Sequence, residues 1–264
     1  MLHALTACPV AVHEVPASKC FFGRDDDRVI DLWFYVWIVR SEDGRVGLLD
    51  SGLPPDAADL AALRGTGVYR DVRPLADVLA AEGVAPEQID WCCVTQPVTY
   101  HSGGIVPELL PRAEVWLSKA GMTELLCDPP GHPPTEFFFT ARSWAHLREL
   151  AVDGRLRVVD EPTEVVPGVV FETTGGHHPG SAGVRVRTRE QGLVGILETA
   201  FLQENVDAEI PIGIAEHAAE CRRAIKRWKR TCDVVLADHD PALAARYPAA
   251  APAVVAPRAA AGDA

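Results

Sequence analysis

The sequence predicts an α/β layer fold, on three observations. Runs of β-branched and aromatic residues that read as strands recur in both halves of the chain. Segments with apolar residues at helical spacing lie between them, and Gly, Pro and Asp punctuate the joins. Strands and helices interspersed in this way are what helix-covered sheets require. With 264 residues, 48% of them hydrophobic, the chain can bury a sizeable core. We expect a single domain over residues 1–246.

In chain order, the first 30 residues mix short β-like pieces with a charged turn, Arg24-Asp25-Asp26-Asp27-Arg28, which reads as a solvated loop. Leu32 to Val39 is aromatic and β-branched throughout, as a strand buried on both faces would be. The turn Glu42-Asp43-Gly44 folds it back onto Val46 to Asp50, predicting a hairpin. Pro54-Pro55-Asp56 opens a helix to about Leu63, and Arg73 to Glu82 is a second, with Leu75, Val78 and Leu79 at helical spacing and Gly83 as its C-cap.

Ile89 to Val94 reads as a buried strand, followed by a helix to about Leu110, a strand from Ala113 to Leu117 and a short helix from Lys119. The Pro- and Gly-rich stretch Cys127 to Pro134 is a loop, and Thr135 to Leu150 a helix carrying Phe137, Phe138 and Phe139. Three adjacent Phe cannot all face one core, so some are candidates for a pocket wall. Strands are expected at Leu156–Val159, Val169–Thr173, Gly183–Val186 and Gly192–Leu197, then a long amphipathic helix from Ile214 to Thr231 and a last strand, Asp233–Leu236. From Tyr247 to the end, Ala and Pro dominate, and residues 247–264 read as a disordered tail.

A formal charge of −12, with no offsetting Lys/Arg cluster, argues against nucleic acid or an anionic membrane as partner. No apolar run approaches the ~18 residues of a membrane span, and the N-terminus lacks the basic leader of a signal peptide. Seven cysteines without a CxxC pair suit reduced thiols in the cytoplasm. The expected partner is a small-molecule substrate, with a homodimer as the default assembly.

The chemistry centres on Thr95-Gln96-Pro97-Val98-Thr99-Tyr100-His101-Ser102-Gly103-Gly104, a loop leaving the end of a buried strand, where α/β folds place their sites. Together with Leu49-Asp50-Ser51-Gly52, Gly176-His177-His178-Pro179-Gly180-Ser181 and Asp238-His239-Asp240, it resembles the ordered landmarks of the metallo-β-lactamase superfamily. The match spans about Ile30 to Pro241. Val15-Pro16-Ala17-Ser18 and Phe22-Gly23-Arg24-Asp25 are similar, more narrowly, to the N-acyl-homoserine lactonase branch. The resemblance implies an αββα sandwich with its site at one edge of the paired sheets.

It also implies a loop reading His-x-His-x-Asp-His, whose imidazoles and carboxylate hold two zinc ions that activate a shared water. Here the three upstream ligand positions are Gln96, Val98 and Tyr100, and only His101 remains. His177 and His239 are retained, whereas Thr199 falls where the family has its bridging Asp. Glu198, one residue earlier on a strand, is expected to face away. Two ions need carboxylates to balance their charge, so a dinuclear centre is not expected.

Two readings stay open. A single zinc ion could sit on His101, His177 and His239, although in the family these serve different ions. Alternatively no cofactor is bound, which is the expectation adopted, and the three histidines with Tyr100 form a proton-transfer site. Catalytic candidates are therefore His101, His177, His239 and Tyr100, and substrate-binding candidates Gln96, Thr199, Glu198, Phe138 and His132. The implied activity is lactone or ester hydrolysis, or a related acid/base step such as cyclisation or elimination, on an acyl-containing small molecule. The alternative is a binding protein that keeps the pocket without turnover. Asp50 is read as a residue that orients the loop.

Overall fold

The computed structural model describes residues 1–24, 27–64, 69–127 and 139–249. The charged turn's Asp25 and Asp26, the expected pocket residues His132 and Phe138, and residues 250–264 lie outside the described residues.

The chain begins with a 14-residue strand, β1 (His3–Pro16), rather than short β pieces. It pairs antiparallel with β2 (Val29–Ser41) from His3↔Ser41 to Pro16↔Val29. β2 turns at Gly44, φ +90, into β3 (Val46–Leu49), the predicted hairpin. Parallel neighbours β5 (Ile89–Cys93), β6 (Glu114–Ser118) and β7 (Leu156–Val159) extend this half, and the two-residue β4 (Tyr69–Arg70) flanks β1. The other half comprises β8 (Thr163–Val166), β9 (Val169–Thr173), β10 (Ala182–Thr188), β11 (Gly192–Leu197) and β12 (Val234–Ala237). One parallel pair, His3↔Thr188, joins the halves.

Strand alternation sorts the side chains into layers. On β2, Trp37 and Val39 enter a core shared with Trp91 and Trp116 from one half of the sheet and Phe171, Val184 and Ile196 from the other. Val36 and Ile38 point the opposite way, into a core with Leu75 and Leu79 of α3 (Leu75–Ala81), Leu125 of α5 (Lys119–Cys127) and Leu147 of α6 (Ala141–Val152). On the far side, Ile225 and Trp228 of α8 (Ala218–Thr231) pack on Leu197 and Ala237. The layers run helix, sheet, sheet, helix, the αββα sandwich expected.

Several elements differ from the sequence reading: the helix expected from Thr135 begins at Ala141, so Phe139 precedes it, the helix expected from Ile214 begins at Ala218, and β8 was not expected. The helix expected from Ile105 is replaced by a single turn, α4 (Thr99–Ser102), and hydrogen-bonded turns over 105–110. Tyr247, assigned to the tail, is packed: its ring meets Trp37 with centroids 5.3 Å apart, and its carbonyl accepts the Ala7 N–H at 2.8 Å. An aromatic ring buried on a core tryptophan outweighs the composition around it. All seven cysteines are free thiols, and no described helix is long and apolar enough to cross a membrane.

Candidate active site

The site forms where β3, β5, β11 and β12 end. β3 closes at Asp50, whose φ of +61 turns the chain sharply; Asp is among the few residues that tolerate this left-handed geometry. The turn aims the carboxylate at the loop after β5. Its Oδ1 accepts the Thr95 N–H at 2.7 Å, and its Oδ2 accepts the Thr95 hydroxyl at 2.8 Å and His101 Nδ1–H at 2.8 Å.

Backbone bonds lock the loop in place: Ser51 N–H donates to the His101 carbonyl at 2.7 Å, and Gly103 N–H to the Gly52 carbonyl at 2.9 Å. A Cβ on Gly103 would lie 2.3 Å from Pro54 N, and one on Gly104 2.3 Å from the Ser51 carbonyl oxygen. The paired glycines are a close backbone approach, not a helix start.

β12 ends at Ala237 and leads into Asp238, whose Oδ1 accepts Trp37 Nε1–H at 3.0 Å, and into His239. His239 Nδ1 donates to the Trp33 carbonyl at 3.0 Å. Both His101 and His239 therefore spend Nδ1 on the protein and turn Nε2 inward, with ring centroids 5.4 Å apart.

Glu198 overturns the expectation that it faces away. β11 stops at Leu197, and Ala200 N–H bonds back to the Leu197 carbonyl at 3.2 Å, so Glu198 lies in a turn where strand alternation no longer applies. Its fully buried carboxylate joins His101 and His239 in a group whose ligand atoms lie within 4.8 Å of one another. Thr199, at the position matched to the bridging Asp, instead donates its hydroxyl to Thr174 Oγ1 at 3.1 Å. A buried carboxylate thus stands one residue before the position where the resemblance implied one.

His177 sits on a separate loop, its Nε2 3.7 Å from Glu198 Oε1 and its ring edge-on to Phe201. It belongs to no group of converging donors with His101 and His239 among the described residues, which argues against the three-histidine ion site considered from sequence. His101 Nε2 and Gln96 Oε1 are buried without a hydrogen-bond partner, and the buried Glu198 carboxyl and His177 ring make no hydrogen bond of good geometry, although the Ser181 hydroxyl lies beside Glu198 and the Ile214 backbone beside His177.

Electrostatics separate these groups. Burial opposes charge on His101, but the Asp50 carboxylate and its hydrogen bond outweigh it and raise the ring's pKa. Burial lowers His239 to about 3, assisted by His101, and His177 to about 3, assisted by His178. Burial, then Asp238, pushes the Glu198 carboxyl well above the usual range, and burial likewise lifts the Tyr100 hydroxyl.

A cavity of about 160 Å³ opens onto this cluster. Tyr100, Glu198 and His239 form its polar end; Leu32, Phe34, Phe201 and Ile214 are among its apolar walls, with the exposed Lys19 at the rim. His101, His177, Gln96 and Thr199 are not part of its lining. Sequence reasoning missed the walls supplied by β1, β2 and Ile214, since an apolar strand residue looks the same whether it meets core or cavity.

Gln96, Val98 and Tyr100, where the resemblance implied metal ligands, offer no imidazole or carboxylate, whereas His101, His239 and Glu198 converge. That compact group suits one ion.

No protein-family model matches the chain. It is 23% identical over 244 residues to an N-acyl homoserine lactonase of a Bacillus species, covering 84% of this chain and 87% of that one. An N-acyl homoserine lactonase of Bacillus cereus is 22% identical at the same coverage. Among solved structures, an N-acyl homoserine lactone hydrolase with N-hexanoyl-L-homoserine bound at its catalytic metal centre superposes with a TM-score of 0.74 at 18% identity, covering 91% of this chain and 95% of that one. The chain has the metallo-β-lactamase fold and, among proteins of that fold, resembles the N-acyl homoserine lactonase branch.

Proposed function

We propose that the protein is a hydrolase that opens the ester bond of a small acylated lactone. The observation that carries the reading is the cavity itself, apolar along its walls and ending on Tyr100, Glu198 and His239. An acyl chain would lie along Leu32, Phe34 and Ile214 and bring its ester to the polar end. The similarity to proteins named as lactonases supports that substrate class.

Tyr100 is a phenol, protonated at neutral pH even before burial raises its pKa further, so its hydroxyl serves as a donor to the oxygen that gains charge as the carbonyl is attacked. His177, neutral because burial lowers its pKa, has a free ring nitrogen to take the proton of the attacking water and pass it to the departing alkoxide oxygen as the ester bond breaks. Asp50 fixes the tautomer of His101, and Phe34, with its ring centroid 4.9 Å from Tyr100 and 4.8 Å from His239, sets the spacing of the polar end. An ion held by the buried His and Glu groups would polarise the carbonyl and acidify a bound water.

The absent ligand positions at Gln96, Val98 and Tyr100 favour one second reading, a protein that binds such molecules without opening them. Proton release on mixing with γ-butyrolactone and with N-butanoyl to N-decanoyl homoserine lactones tests both. Ring opening that falls about 100-fold in Tyr100→Phe supports the hydrolase, on the magnitude usual for losing an oxyanion donor. Saturable binding without proton release by the folded protein supports the binder and ends the hydrolase reading.

A further inference from the structure

We propose that the protein holds one divalent metal ion, of the zinc type, on His101 Nε2, His239 Nε2 and the Glu198 carboxylate, with His177 outside the ligand set. The assignment deepens the hydrolase reading and rests on it only for the use made of the ion.

Geometry comes first. The three ligand atoms lie within 4.8 Å of one another, whereas donors about 2.1 Å from a tetrahedral ion stand roughly 3.4 Å apart. The difference is at most about 1.4 Å. Two imidazoles, one carboxylate and a position left for solvent or substrate are an established donor set for a catalytic zinc ion.

Orientation is the second argument. A metal-binding histidine normally donates its other ring N–H to a carboxylate or carbonyl, which fixes tautomer and direction. His101 does so to Asp50 at 2.8 Å and His239 to the Trp33 carbonyl at 3.0 Å. In both rings that leaves Nε2 with its lone pair.

The third argument is the cost of the groups as they stand. His101 Nε2 is buried without a hydrogen-bond partner; the buried Glu198 oxygens have the Ser181 hydroxyl beside them but no bond of good geometry to it, and the 3.7 Å from Glu198 to His177 is too long to supply one. Buried polar atoms left unpaired are expensive, and a cation would satisfy all three at once.

The other converging groups are less suited. In Asp50, His101 and Asp238, both carboxylates are already bonded, to Thr95, His101 and Trp37. In Glu124, His178 and Glu216, His178 Nδ1 accepts the Gly180 N–H at 3.0 Å, so its Nε2 carries the proton and faces Glu124 at 3.0 Å.

The test is metal content after expression with zinc and dialysis, together with cobalt(II) titration of chelator-stripped protein, read by the visible absorption of the bound ion. Expected are one ion per chain, a thermal midpoint raised by zinc, and one ion still bound in His177→Ala. Binding should weaken at least ~10-fold in the isosteric Glu198→Gln and in His101→Ala, whose folding is checked by circular dichroism. No saturable ion, two ions per chain, or loss in His177→Ala with retention in Glu198→Gln overturns the assignment. Lactone opening by stripped protein would keep the hydrolase reading if the ion fails, and one correctly placed ion without lactone opening would end that reading while leaving the site.

Discussion

Asp50 Oδ2 accepts the Nδ1–H of His101 across 2.8 Å at a point where both side chains are almost completely buried. That one contact links the end of β3 to the loop after β5 and decides which nitrogen of His101 faces the site.

Replacing Asp50 separates conformation from charge. Asp50→Ala removes the acceptor for Thr95 and His101 and places a residue with no left-handed tolerance at φ +61. A loss of about 3 kcal/mol or more in urea unfolding is expected. Asp50→Asn tolerates the backbone and keeps one acceptor oxygen, so it should cost less. In both variants the His101 pKa, followed by NMR, should drop, because the Asp50 charge that offsets its burial is gone. An unchanged His101 titration would refute this account of the dyad.

Gly103 and Gly83 make a paired test of backbone approach. Alanine at Gly103 meets Pro54 N and the Leu53 carbonyl carbon at 2.3 and 2.5 Å, main-chain atoms that cannot move aside, and should cost about 2–3 kcal/mol. Alanine at Gly83 meets no atom within 4 Å and suffers only its φ of +65, about 1 kcal/mol. Equal shifts in urea midpoint would contradict the packing argument.

His3 ties the start of β1 to its neighbours, with Nε2 donating to the Pro167 carbonyl at 3.1 Å and Nδ1 2.9 Å from Ser41 Oγ. Burial lowers its pKa in the folded protein, so the unfolded chain takes up the proton first as pH falls. The stability it contributes is complete above the ordinary value near 6.5 and declines as pH drops below it. Thermal midpoints should therefore fall between pH 7 and 5.5, and less steeply in His3→Gln.

The architecture was legible because strand and helix periods survive in the sequence: β7, β9 and β11 have the bounds read from residues alone. The meeting of His101 with His239, and the role of Asp50, followed from the family's landmarks. What was not legible depends on where a strand stops. Alternation assigned Glu198 to the wrong side because nothing local announces that β11 ends at Leu197. Tyr247 was lost in an Ala/Pro-rich neighbourhood because its partner, Trp37, lies 210 positions away in the sequence.

Ile214 offers a test of the cavity under the hydrolase reading. It lines the apolar wall, yet is 45% exposed and outside the packed cores, so Ile214→Ala should leave stability within about 0.5 kcal/mol of the parent. The lost wall area is roughly 50 Å², worth about 1.3 kcal/mol of contact with a bound chain, or nearly tenfold in affinity. KM for N-hexanoyl homoserine lactone should rise by that factor with kcat unchanged, since the wall touches the acyl chain equally before and during reaction. For γ-butyrolactone, which has no acyl chain, KM should not move. A fall in kcat for both substrates would instead put Ile214 at the reacting end and disprove the proposed orientation of the acyl chain.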